Sequence, residues 1–170
     1  KITPKITVTA KILWIIYFAF TVVQTILLMI AGMDFVDALS HAFATVGTGG
    51  FSTKNTSIAF YNSKAIEWIC TIFMILAGIN FSLYFKLFTG NGKELTTNTE
   101  FKAYLGILLT SIFIVTFANL EQYQSFFTSL RYSSFHVASI MSTTGFATQN
   151  YLEWIPLAQI ILFFLMFIGG

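Results

Sequence analysis

The chain has 170 residues, of which 56% are hydrophobic and 9% charged, with a mean hydropathy of +0.77. A soluble domain covers itself with about a quarter charged residues, so a water-soluble globular fold is excluded and the chain belongs in lipid. The formal charge of +2 comes from eight scattered lysines and one arginine; no basic patch forms, which excludes a nucleic-acid-binding surface.

Reading from the N-terminus, Lys1 stands where a start methionine would, and no basic–apolar–small leader precedes the first apolar run. This predicts a fragment or processed chain rather than a secreted precursor. A hydrocarbon core needs about 20 apolar residues, and Ile12–Ala31 supplies the first span. Next comes Asp34–Val46, with a capping Asp34, Asp37 three residues on, and Phe35, Leu39 and Phe43 at helical spacing. At about 20 Å it is too short to cross, so it predicts a half-membrane helix. A run of small residues follows, then a second span over Ile66–Phe88.

A loop precedes the third span, Ala103–Leu120. Tyr123–Met141 is long enough to come close to crossing, yet Arg131, His136 and five serines make it a poor lipid-facing helix, so it predicts a second half-helix. A second small-residue run leads into a last apolar segment from Trp154 to the end. Lys1, Lys5, Lys11, Lys86, Lys93 and Lys102 flank one side of the spans, and only Lys54, Lys64 and Arg131 the other. The excess of basic residues predicts that the N-terminus and the stretch from Gly90 to Lys102 face the cytoplasm. Asp34, Asp37, Glu67, Glu121 and Glu153 all fall on the opposite side.

The two small-residue runs are copies. Set without gaps, HAFATVGTGGFSTKN (41–55) and HVASIMSTTGFATQN (136–150) share six of 15 positions: His41/His136, Thr48/Thr143, Gly50/Gly145, Phe51/Phe146, Thr53/Thr148 and Asn55/Asn150. Average composition gives about one by chance. Glu-Trp also recurs, at Glu67-Trp68 and Glu153-Trp154. The unit is therefore span, half-helix, Thr/Gly run, span, present twice, and such repeats fix the architecture. The expected fold is an all-α membrane protein with one unit over 1–88, a cytoplasmic loop over 89–102 and a second unit over 103–170.

Non-helical backbone at membrane depth survives only where it is buried in protein or lines a watery path. A half-helix whose C-terminus points inward aims the negative end of its dipole there, and carbonyls beyond that end can replace the water around a dehydrated cation. The runs are candidate selectivity filters. Two frames compete in the first copy. Thr45-Val46-Gly47-Thr48-Gly49 resembles the signature of tetrameric potassium channels and singles out Gly47, whereas the internal repeat pairs Gly50 with Gly145. We take the repeat frame, in which the carbonyl donors for the cation are Gly47, Thr48, Gly49 and Gly50, with Ser142, Thr143, Thr144 and Gly145 in the second copy. The bland alternative for both runs is a re-entrant or surface turn in an unrelated bundle.

The residues also carry a resemblance. PKITVTAKILWIIY, HAFATVGTGGFSTKN, MILAGINF, STTGFATQNY and FLMFIGG together resemble the membrane subunit of the Trk/Ktr potassium-uptake superfamily, most closely its TrkH branch. The resemblance covers essentially the whole chain and implies the second and third of four pore units around one channel-like pore, the last span being truncated. It also implies a gating intramembrane loop beginning at Gly169-Gly170, a homodimer in the bacterial inner membrane, and a cytosolic nucleotide-binding ring as regulatory partner. The function it implies is selective potassium uptake, with a sodium-conducting or sodium-coupled relative, or a non-conducting membrane scaffold, as alternatives.

Other residues read more plainly. His41 and His136 are expected to hydrogen-bond locally and orient the half-helices, since nothing nearby completes a metal site. Gln24, Asn80 and Gln159 are expected to make interhelical hydrogen bonds, with pore lining as the alternative. Trp68 and Trp154 read as interfacial anchors, and Cys70 as packing. No carboxylate pair, phosphate loop or nucleophile–base set supports an enzyme or a bound cofactor, and the spans carry no basic ladder or buried acid for voltage sensing or proton relay.

Overall fold

The computed structural model describes residues 3–88 and 97–169, and every regular element among them is helical. Helix α1 (Thr3–Ile30) reaches about 42 Å at 1.5 Å per residue, enough to cross a bilayer with some tilt. Its exposed residues include Trp14, Ile15, Phe18, Ile26 and Ile30, a face suited to lipid tails. On the inner face Thr21, Gln24, Thr25 and Leu28 are buried at the i, i+3, i+4, i+7 spacing that makes one helical stripe. The hydroxyls of Thr21 and Thr25 donate to the carbonyls of Tyr17 and Thr21, four residues back, so both polar groups are satisfied within the helix.

A turn at Gly32 leads to the half-helix α2 (Phe35–Val46), packed against α1. It starts at Asp34, whose carboxylate accepts from the Asp37 amide at 3.0 Å, as the sequence predicts. Beyond the first small-residue run lies a 3₁₀ turn, Ser57–Tyr61, and then α3 (Lys64–Ala77), capped by the Ser63 hydroxyl.

The predicted second span, Ile66–Phe88, is corrected here. Helix α3 ends at Ala77 and α4 (Phe81–Phe88) leaves at 84° to it. The break falls on Gly78-Ile79-Asn80. A helix end leaves carbonyls without partners, and here tyrosines satisfy two of them: Tyr104 donates to Ile75 O at 3.0 Å and Tyr84 to Leu76 O at 2.7 Å. A Cβ on Gly78 would stand 2.5 Å from the Tyr104 hydroxyl, so the bare backbone makes that bond possible. Asn80 caps the new helix, its side chain accepting from Ser82 N at 2.9 Å, and its amide reaches Glu100 at 3.3 Å. It belongs to the break, not to the middle of a span.

Helix α5 (Thr99–Ala118), capped by Asn98, begins inside the stretch expected as loop over 89–102. Residues 89–96, including Lys93, lie outside those described. The segment read as one half-helix over Tyr123–Met141 divides into a single turn α6 (Leu120–Tyr123) and the half-helix α7 (Phe126–Met141), with Gln124 between them in left-handed backbone at φ 51°. After the second small-residue run and a 3₁₀ turn, Tyr151–Glu153, comes α8 (Pro156–Gly169).

Among the described residues two helices, the Thr7–Ile30 part of α1 and α5, are long and apolar enough to cross a membrane, and the bent α3–α4 pair makes a third if counted as one span. Helix α8 takes up the expected last apolar segment from Pro156 to Gly169.

The cores interlock the two units. Leu28, Ile58, Ile66 and Met74 of the first unit enclose Phe135 and Phe146 of the second. A second cluster of Leu108, Val115, Val137, Trp154 and Leu162 joins α5, α7 and α8. Trp154 is 3% exposed and donates its indole N–H to the Tyr123 hydroxyl at 2.8 Å, so the expectation of an interfacial anchor is wrong. His136 lies 4.9 Å from its ring and covers it. Trp68 keeps an exposed face, and Cys70 is fully buried in the first core.

Candidate cation filter

Both half-helices end in the same way. Gly47 donates to Phe43 O at 2.9 Å, Thr48 to Thr45 O at 3.1 Å and Gly50 to Ala44 O at 3.3 Å. In the second copy Ser142 donates to Ala138 O at 2.9 Å, Thr143 to Ile140 O at 3.0 Å and Gly145 to Ser139 O at 3.1 Å. These are the same three bonds under the alignment that pairs His41 with His136. The backbone follows: Thr48 and Thr143 are left-handed at φ 49° and 60°, and Gly50 and Gly145 at φ 65° and 83°.

Left-handed threonine is uncommon and costs on the order of 1–2 kcal/mol, so a doubly repeated instance marks a shape that the surroundings impose. The three bonds satisfy helix-end carbonyls inside α2 and α7. Among the described residues no hydrogen bond reaches the carbonyls of Gly47, Thr48, Gly49, Gly50, Ser142, Thr143, Thr144 or Gly145.

The two runs meet at one place. A Cβ added to Gly50 would overlap the Thr144 carbonyl oxygen, whereas at Gly145 such an atom would meet nothing within 4 Å. Of the eight expected donors, the structure thus brings Gly50 against Thr144 and Gly145. Gly47 abuts Phe43 O and the Tyr17 hydroxyl, and Ser142 lies beside Gly78. Gly169 is seated on the Met141 carbonyl at the end of α7, and Gly170 lies outside the described residues.

Behind the runs, polar side chains fix the half-helices. His41 Nδ1 lies 2.7 Å from Asp37 O and therefore donates to it, leaving Nε2 to accept from the Ser52 hydroxyl at 2.8 Å. His136 lies between the Tyr132 carbonyl at 2.9 Å and the Gln149 carbonyl at 3.1 Å. Both histidines tie a half-helix to the strand leaving its run, in line with the orienting role read from the sequence. Gln24 donates to Thr45 Oγ1 at 2.9 Å, an interhelical bond from α1 to α2, and the Thr45 hydroxyl in turn donates to His41 O at 2.6 Å. Gln159 instead folds back on the carbonyls of Leu152 and Trp154.

Three supports were not legible as such. Asp37 accepts from Thr53 at 2.6 Å and from Tyr61 at 2.5 Å and pairs with Lys54 at 3.0 Å. The bond from Thr53, with those from Tyr61 and Lys54, holds its carboxyl well below the usual carboxylate range. Burial, and then the bond to Asp37, pushes the Tyr61 phenol up. Asp37 reads in sequence only as first-turn helix charge; the pairing with Thr53 needs the chain to fold back. Second, Arg131 in α7 and Glu67 in α3 form a buried ion pair at 2.7 Å, with the Arg131 N–H poorly aligned for a hydrogen bond to that oxygen. Third, the Ser139 hydroxyl donates to Phe146 O at 2.6 Å and pulls the second run onto its half-helix.

The chain is similar to known proteins over its whole length. The model of the family described as TrkH, cation transport protein, matches residues 1–170. The chain is 37% identical over 175 residues to the Trk system potassium uptake protein TrkH of Salmonella typhimurium, covering 100% of this chain and 36% of that protein. It is 31% identical to the Trk system potassium uptake protein TrkG of Escherichia coli, again over 100% of this chain and 36% of the relative. The crystal structure of the potassium transporter TrkH from Vibrio parahaemolyticus superposes with a TM-score of 0.90 at 33% identity, over 98% of this chain and 37% of that one. The chain thus spans about a third of the length of these relatives.

Proposed function

Because the chain belongs to the TrkH family of cation transport proteins, membrane transporters and not enzymes, we propose that its two small-residue runs are adjacent segments of a potassium-selective pore. The observation that carries this reading is the doubled helix end, with the same three hydrogen bonds, the same two left-handed positions and unengaged carbonyls beyond each half-helix. The dipoles of α2 and α7 present their negative ends toward those carbonyls and favour a cation there. Gly47, Thr48, Gly49 and Gly50, with Ser142, Thr143, Thr144 and Gly145, supply oxygens in place of the ion's water. The charge is the cargo's own, so no cofactor is needed in this part.

The complete protein, on this reading, takes up potassium across the inner membrane of a bacterium. It works as a homodimer with a cytosolic nucleotide-binding ring, and a gate loop starts at Gly169-Gly170. The relatives' names, as parts of a Trk system, support a partnered assembly.

The test is tracer uptake by the full-length protein in cells limited for potassium, with sodium in competition. Saturable potassium uptake that sodium inhibits only weakly is expected. Sodium carried as well as potassium would move the assignment to a sodium-conducting relative, and absence of any flux would leave a membrane scaffold.

A further inference from the structure

Besides the bonds from Ser139 and His136 of its own half-helix, the second run is held by the first unit. Within the 3₁₀ turn Ser57–Tyr61, the Ala59 amide donates to Ala147 O at 3.3 Å, and the Ser57 hydroxyl accepts from the Ala147 amide at 3.4 Å. Ala147 stands two residues past Gly145, where the second run leaves the pore side. Ser57 has left-handed backbone at φ 56°, unusual for serine, so the turn is held in place rather than chosen by its own residues.

Asp37 does the holding. One oxygen of its carboxylate accepts from Thr53 at 2.6 Å; the other accepts from Tyr61 at 2.5 Å and pairs with Lys54 at 3.0 Å. Thr53 and Lys54 belong to the strand leaving the first run, and Tyr61 closes the turn that grips the second. Among the described residues the second unit has no such carboxylate clip of its own. By the repeat, Tyr132 stands at the place of Asp37 and Gln149 at that of Lys54. Thr148, the counterpart of Thr53, is buried with a hydroxyl that finds no hydrogen-bond partner among the described residues.

We infer that Asp37 is a positioning residue for both runs, one carboxylate setting the approach of Gly50 to Thr144 and Gly145. The inference rests on the permeation reading above, and it predicts that ion discrimination depends on a group that never touches the ion.

The experiment uses the full-length protein with Asp37→Ala, Tyr61→Phe and, as a control, Asp34→Ala, which removes the N-cap of α2 and leaves the clip. Two quantities are read: the potassium-over-sodium uptake ratio, and hydrogen exchange of the peptides carrying the Ala59 and Ala147 amides. Asp37→Ala should lower the ratio about tenfold, equivalent to ~1.4 kcal/mol, and speed exchange at both amides. Tyr61→Phe keeps the ring, loses one hydroxyl, and should shift both readouts the same way by less. Asp34→Ala should leave the ratio unchanged. Wild-type ratio and exchange in Asp37→Ala overturn the inference, as does an equal loss of ratio in Asp34→Ala, which would assign the effect to helix fraying. If Asp37→Ala does not fold, unchanged exchange in Tyr61→Phe overturns it. Should the wild-type protein carry no potassium, the permeation reading fails, while exchange at Ala59 and Ala147 still decides whether Asp37 holds the turn.

Discussion

Gly47 and Gly50 stand three residues apart in one run, yet their surroundings differ in kind. At Gly47 the backbone is ordinary, φ −81°, and the repeat already carries Ser142 in the equivalent place. At Gly50 the backbone is left-handed, and the space for a side chain is filled by the Thr144 carbonyl. Gly145 is left-handed too but opens on free space. In the full-length protein Gly50→Ser should therefore damage potassium-over-sodium discrimination most, because both strain and collision act. Gly145→Ser should damage it by strain alone, on the order of 1–2 kcal/mol, and Gly47→Ser least. The measurement is uptake with sodium in competition. Loss of selectivity in Gly47→Ser with Gly50→Ser intact would make the Thr45–Gly49 frame the right one.

At the scale of elements, the existence of both half-helices and the cap of the first follow from the chain, because capping and small-residue repeats act over a few residues. Asp34 before α2 is such a case, as is the His41/His136 pairing. The break between α3 and α4 was not legible. The stretch from Ile66 to Phe88 is apolar enough on average to read as one span despite Gly78 and Asn80, and what permits the bend is a pair of tyrosines, Tyr84 and Tyr104, that reach the carbonyls of Leu76 and Ile75. Trp154 was misread for a related reason: Glu-Trp at a span boundary suggests an interface, and only the packing of Tyr123 and His136 shows it enclosed. The Arg131–Glu67 pair likewise joins residues far apart in sequence, α7 to α3, in a buried place. Removing one partner of such a pair leaves an uncompensated charge, which costs about 3–5 kcal/mol. Glu67→Ala should lower the unfolding midpoint of the purified protein strongly, and Arg131→Met with Glu67→Leu should restore much of it. A midpoint unchanged in Glu67→Ala would show that the pair does not matter for stability.

For the molecule as a whole, the two units are not independent bodies: Phe135 and Phe146 of the second lie inside the core of the first. The excess of basic residues predicts Lys54 and Lys64 on the outer side of the membrane and Lys93 on the inner. A single cysteine at position 54, in a Cys70→Ala background, should react with a membrane-impermeant reagent on intact cells, whereas one at position 93 should react only after permeabilisation. The reverse pattern would invert the orientation.

The grip of the turn Ser57–Tyr61 on Ala147 bears on the order of events during synthesis. The contacts that fix the first run are local, Tyr61 lying 24 residues from Asp37, whereas Ser57 reaches across 90 residues to Ala147. A chain made from its N-terminus completes the first set while the second is still unmade, and segments generally fold in that order. The Asp37 clip needs only residues of the first unit, whereas the joint core around Phe135 and Phe146 and the grip on Ala147 close only once the second unit has been made.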